Sequence, residues 1–295
     1  MRSWVKVKDQ LVDFTVSEFK ETVKSPIQAA IEAVNDIVKN YPPPYNLFVS
    51  GGIDSQAMLY AWKMANHPFN AYTFRYNETF NTHDIETLFL FCEQENIPYT
   101  IVDFDYLKFL EEEYDGIAKK YKCSSPQISM HIKMATMFTG TSIFSGNFLS
   151  TESALLSNAI LGMYRYSETA EGRNTVPYFF LHTPELAYSL NELRNNSPAE
   201  PVNVSAKNDY YRKVQLYRLA NFPIISQGRK FTGFEKFKEH YDSHTYVLEV
   251  PRNRLQFCNK LSARPFDWLF RYPYEKLFDE GILNFILNKH PYTII

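Results

Sequence analysis

The chain has 295 residues, a formal net charge of −2, 45% hydrophobic and 16% aromatic residues, the profile of a soluble globular protein with one large or two moderate domains. That charge excludes a chain that holds nucleic acid by overall basicity. No apolar run approaches the roughly 20 residues that a membrane-spanning helix needs.

The first residues, "MRSWVKVKDQ", turn charged at once, so no secretory signal is expected. "VKVKD" alternates as short strand material does. "SPIQAAIEAVNDIVKN" predicts a helix: Ser25 is placed to cap it, Pro26 suits its first position, and Ile27, Ala30, Ile31, Val34, Ile37 and Val38 recur at helical spacing. "YPPP" stops it. A buried strand is then expected in "YNLFVS", a helix over 54–65, a strand in "NAYTFRY" and a helix in "THDIETLFLFCEQEN", with Ile85, Leu88, Phe89 and Phe91 or Cys92 inward. "PYTIVDFD" reads as a strand, "SPQISMHIKMATMF" as a helix and "TSIFSGN" as a strand ending in glycine. Strands and helices alternating at these lengths imply βαβ units and a parallel sheet, which binds ligands at the carboxyl ends of its strands.

After about residue 160 the alternation is lost. "TPELAYSLNEL", "DYYRKVQLYRLANF" and "TGFEKFKEHYD" read as helices, and "NNSPAEPVNVS" as a polar loop. The expected class is α/β: a parallel twisted sheet flanked by helices, with a mainly helical C-terminal region. The expected division is an N-terminal strand and helix extension (1–43), an α/β nucleotide-binding domain (44–160) and a C-terminal cap (161–295). Charge is uneven across it. Residues 205–295 hold 15 Lys+Arg against 9 Asp+Glu, and residues 1–204 hold 16 against 24. The basic third suits either an anionic ligand or an unevenly charged surface. Cys92, Cys123 and Cys258 stand far apart and form no CxxC pair, which fits a reducing, cytoplasmic setting.

The most informative stretch is "FVSGGIDSQ" at 48–56, where a strand hands over to a helix. Without Cβ atoms, Gly51 and Gly52 permit close approach and unusual backbone angles. The first N–H groups of the next helix, and its dipole, favour an anion there. Ser50 and Ser55 add hydroxyl donors. No Gly-Lys-Ser/Thr follows, so the loop is not a Walker A motif, and it lacks the third glycine of the dinucleotide fingerprint. Asp54 would repel phosphate unless a cation lies between them, and Mg²⁺ is the expected one.

"SGGIDS" resembles the PP-loop of the ATP pyrophosphatases, the adenine nucleotide α-hydrolase-like group. It includes NAD, GMP and asparagine synthetases, tRNA lysidine and thiouridine synthases, 7-cyano-7-deazaguanine synthases and PAPS reductases. The resemblance covers roughly residues 44–150. It implies ATP as cosubstrate with Mg²⁺, cleaved between the α- and β-phosphates, and an adenylated substrate captured by ammonia or a sulfur donor. It would give Ser50, Gly51, Gly52, Asp54 and Ser55 the β- and γ-phosphates and the metal. Adenine would meet the backbone of Thr73, Phe74 and Arg75 at the end of the second strand of the domain. "FSGN" resembles the family's second glycine turn, which would place Gly146 and Asn147 by the α-phosphate or ribose.

Charge developing on a pyrophosphate leaving group calls for cations. "SQGRKFTGFEKF" offers Arg229, Lys230 and Lys236, of which Lys230 and Lys236 are the candidate catalytic pair with Asp54. Weaker candidates are Asp84, Gln127 with His131 on one helical face, and Lys260, Arg264 and Arg271 among aromatics. His240 and His244 lack the HExxH glutamate. The paired or clustered cysteines of the sulfur-transferring and deazaguanine enzymes are missing, and no glutaminase domain begins the chain. The expected function is a stand-alone adenylating enzyme for a small substrate. Base modification on nucleic acid and a non-catalytic ATP or AMP sensor are the alternatives, and a homo-oligomer is left open.

Overall fold

A computed structural model of the chain describes residues 5–8, 11–14, 23–121, 123, 126–146, 158–196 and 206–226. Its centre is a five-stranded sheet, β3 (Tyr45–Phe48), β4 (Asn70–Tyr76), β5 (Thr100–Phe104), β6 (Thr141–Phe144) and β7 (Thr175–Val176). The strands run β5-β4-β3-β6-β7 in space, and every pairing is parallel. This is the expected α/β, Rossmann-like architecture. Leu47 of β3 lies beside Ala71 on one side and Ile143 on the other.

Helices cover both faces, so the two central strands are buried along their whole length. All four residues of β3 and of β6 are buried. Alternate residues feed two cores, as period-2 geometry requires. On one face Leu47, Ala71 and Ile143 pack with α1 (Pro26–Asn40), α2 (Ile53–Ala65) and α3 (Thr82–Glu95) through Val34, Ile37, Met58, Trp62, Leu88 and Phe91. On the other, Phe48, Phe74 and Phe144 meet α4 (Tyr106–Glu112), α5 (Tyr114–Lys120) and α6 (Pro126–Thr136) through Tyr106, Phe109, Tyr114, Met130 and Ile132. The Phe48 and Phe144 rings stack 4.8 Å apart. Each such side chain, taken fully out of water, contributes about 1.5–3 kcal/mol.

Beyond residue 157 come α7 (Asn158–Ser167), β7, a 3₁₀ turn (Phe179–Leu181), α8 (Pro184–Asn196) and α9 (Ala206–Leu219). This part is mainly helical, but β7 carries the sheet past residue 160. Leu186 and Leu190 of α8, with Val214 and Tyr217 of α9, join the same core as α1. The alternating N-terminal segment forms an antiparallel pair outside the main sheet, β1 (Val5–Lys8) and β2 (Leu11–Phe14). Ser25 does sit at the cap of α1, yet its side chain makes no capping hydrogen bond. On α3, Phe91 is buried and Phe89 is 42% exposed. No helix among the described residues is long and apolar enough to cross a membrane.

Candidate functional site

The order of the strands fixes where a ligand can lie. The chain leaves β3 through α2 towards β4 and β5, then returns to the opposite side of β3 for β6. The crevice at the carboxyl ends of β3 and β6 is therefore the switch point where open α/β sheets bind ligands. "SGGIDS" follows β3 and "SG" at 145–146 follows β6, so both glycine turns reach it.

Gly52 is the cap residue of α2, and Gln56 N–H to Gly52 O, at 3.1 Å, is the first bond of the helix. Ile53, Asp54 and Ser55 thus open α2 without intrahelical acceptors for their N–H groups. The serines hold the loop from inside. Ser55 Oγ accepts from Ser50 N–H at 3.1 Å, and Ser50 Oγ accepts from Gly52 N–H at 3.2 Å. The Ser55 hydroxyl lies 3.3 Å from that of Ser50 and 3.4 Å from that of Ser145, joining the two turns.

The loop glycines differ from the sequence-based expectation. Gly52 has φ −65° and ψ 145°, and Gly51 is not among the positive-φ glycines. Unusual backbone angles are therefore not the reason for them. Space is: a Cβ built on Gly52 would meet, among the described residues, only Ser50 Oγ, at 3.2 Å. Gly146 does have φ +65°, and a Cβ there would fall 2.0 Å from Tyr178 Cδ1.

Asp54 is held by α9. Lys213 Nζ donates to its Oδ2 at 2.5 Å, and the Tyr217 hydroxyl donates to its Oδ1 at 2.5 Å. The Lys213 and Asp54 side chains are 19% and 18% exposed. Burial, together with the neighbouring Asp54 carboxylate, holds the Tyr217 hydroxyl far above its usual pKa, so it stays a donor. Lys213 and Tyr217 are four apart, hence on one face of α9. Nothing along the chain in "KVQLY" signals a cation at the loop, because the contact with Asp54 is made 159 positions away.

Gln56, fully buried, ties the loop to the chain after α9. Its Nε2 donates to Gly51 O at 2.8 Å and to Ile225 O at 3.0 Å, while its Oε1 accepts from Ile225 N–H at 2.7 Å. Gln56→Leu removes all three bonds and strands partly buried backbone groups, which should cost about 2–4 kcal/mol. Hydrogen exchange at the Ile225 amide should quicken as well, and wild-type exchange there would show that the clamp does not hold the segment.

The other expected residues scatter. Thr73 and Phe74 are buried in β4, and Phe74 O already accepts from Asn81 Nδ2 at 2.7 Å. Arg75 points to the sheet edge and pairs with Asp103 of β5 at 2.5 Å, with side chains 42% and 68% exposed. That pair raises the arginine and lowers the aspartate, and so open a contact adds little stability. Asp84 is buried in the first turn of α3. His131 stacks on Phe144 with centroids 5.0 Å apart, and burial lowers its pKa to about 4. It is a neutral packing residue at neutral pH. Asn147, Arg229, Lys230, Lys236, His240, His244, Lys260, Arg264 and Arg271 lie outside the described residues. Among the described residues no group of three His, Cys, Asp or Glu side chains is placed to hold a metal.

Against known proteins, the chain matches no protein-family model and no curated sequence.

Proposed function

We propose that the chain is an ATP pyrophosphatase of the PP-loop kind, which adenylates a small substrate and releases pyrophosphate. The observation that carries this reading is the "SGGIDS" turn at the switch point, where a Cβ on Gly52 would meet, among the described residues, only the Ser50 hydroxyl. A Gly-rich turn feeding a helix N-terminus is a ready anion cradle. The N–H groups of Ile53, Asp54 and Ser55 and the hydroxyls of Ser50, Ser55 and Ser145 supply neutral donors to phosphate oxygens. Lys213, beside the same turn, supplies positive charge as it accumulates on the departing pyrophosphate. The family resemblance would put the α-phosphate near Gly146, at the turn after β6. A substrate oxygen attacks the α-phosphorus, the α–β bridging bond breaks with its electron pair on pyrophosphate, and ammonia or another nucleophile then displaces AMP.

Mg²⁺, which the resemblance implies, neutralises phosphate charge in such reactions. As placed here, both oxygens of Asp54 already accept a donor, and the arrangement does not fit a resident ion on that carboxylate. The metal of a nucleotide complex would arrive on the phosphates themselves.

Incubation with ATP, Mg²⁺ and a metabolite pool, read by mass spectrometry, tests the reading. AMP and pyrophosphate in equal amounts are expected. ADP and phosphate would place the cleavage elsewhere. Bound ATP without any cleavage would leave a nucleotide sensor.

A further inference from the structure

The loop places an acid at the proposed anion cradle, and Lys213 and Tyr217 donate to that acid. We propose that Lys213 is the resident counter-ion of the loop, so that a nucleotide polyphosphate binds there without a divalent cation. This rests on the reading of the loop as a polyphosphate cradle.

Asp54 stands in the first turn of α2, among the N–H groups that would face the phosphates. Alone, its charge would oppose the ligand. Lys213 Nζ lies 2.5 Å from Oδ2, and both side chains are more than four-fifths shielded from solvent, so salt and water screen the pair little. The Tyr217 hydroxyl donates to the other oxygen at 2.5 Å. Mg²⁺ demands oxygen ligands at about 2.0–2.1 Å in near-octahedral array. An ammonium already seated on Oδ2 both fills that direction and repels a second cation. The position of α9 is not incidental either, because Gln56 grips Ile225 six residues beyond its end and fixes the seat of Lys213 over the loop.

Calorimetric titration of the full chain with ATP, and separately with inorganic pyrophosphate, in EDTA and in Mg²⁺, decides the matter. Wild-type Kd for ATP in EDTA should lie within about threefold of its value in Mg²⁺. Lys213→Met should weaken binding in EDTA by about 30-fold or more, since the acid is then uncompensated. Asp54→Asn should bind in EDTA as tightly as wild type or tighter, because it removes the repulsion and keeps the lysine.

Binding only in Mg²⁺, or an unchanged Kd for Lys213→Met in EDTA, would overturn the proposal. Should Lys213→Met fail to fold, the other variant decides: a tenfold loss in Asp54→Asn overturns it as surely. Pyrophosphate binding in EDTA with no ATP binding would keep Lys213 as counter-ion and remove the nucleotide reading. No binding of either ligand under either condition would remove both.

Discussion

Gly52→Val should fold as the wild type does and lose its response to ATP. The backbone at residue 52, φ −65° and ψ 145°, lies in the extended region that valine favours. The new Cβ would approach Ser50 Oγ to 3.2 Å, and a short hydroxyl side chain can give by a few tenths of an ångström. Little stability is therefore at stake. The methyls, however, would stand at the start of α2, where on the proposed reading phosphate oxygens reach the first N–H groups. At a ligand concentration near 100 times Kd, the wild type gains about 2.7 kcal/mol by mass action. That corresponds to a rise of roughly 5–10 °C in Tm for a chain of this size. The variant should show a wild-type Tm without ligand and a rise below about 1 °C with it. A folded variant with the full wild-type rise would show that the ligand, if any, binds elsewhere.

Gly146→Ala should do the opposite and damage the fold. Its φ of +65° is a left-handed conformation that costs an L-residue about 1–2 kcal/mol. The added Cβ would also lie 2.0 Å from Cδ1, 2.7 Å from Cγ and 2.8 Å from Cβ of Tyr178. That tyrosine is 7% exposed and packs beside Tyr164, with centroids 5.8 Å apart, so it has nowhere easy to go. Overpacking of this kind adds about 1–3 kcal/mol. The expected total is about 2–5 kcal/mol lost, read as a lower midpoint in urea at unchanged slope. A loss under about 0.5 kcal/mol would mean that the turn after β6 and Tyr178 are not packed as described. The two glycines thus have different jobs: one leaves room at the crevice, and the other lets a strand end turn tightly under an aromatic ring.

Much of the fold is written in local patterns. α1 shows its apolar stripe and Pro26, and β3 and β6 read as short strands between turn residues, buried because both faces are covered. The α4 and α5 pair is hidden by "EEEYDG", where an acidic run and Gly116 interrupt helical spacing at Glu113. β7 has only two residues, too few to show any period. Part of the candidate site is equally local: Ser50, Gly51, Gly52, Asp54 and Ser55 are contiguous. Its partners are not. Lys213 and Tyr217 sit on an unremarkable amphipathic helix, and Gln56 resembles any polar residue of a first turn. Their roles arise only when packing brings α9 onto α2, which no spacing along the chain encodes. The charge argument for Asp54 did require a cation, and the fold supplies one from a lysine.

The grip of Gln56 on Ile225 spans 169 positions of sequence. A ribosome adding about 5–20 residues per second would need roughly 10–30 s to travel that far. During that interval the emerging chain carries the whole glycine turn but neither Lys213, Tyr217 nor Ile225. Asp54 then stands with its charge unopposed, and the turn lacks the strap that holds Gly51. On the proposed function, competence for a phosphate ligand is thus a late event in the birth of the molecule. It arrives with α9 and the five residues after Asn221, not with the motif that announces it.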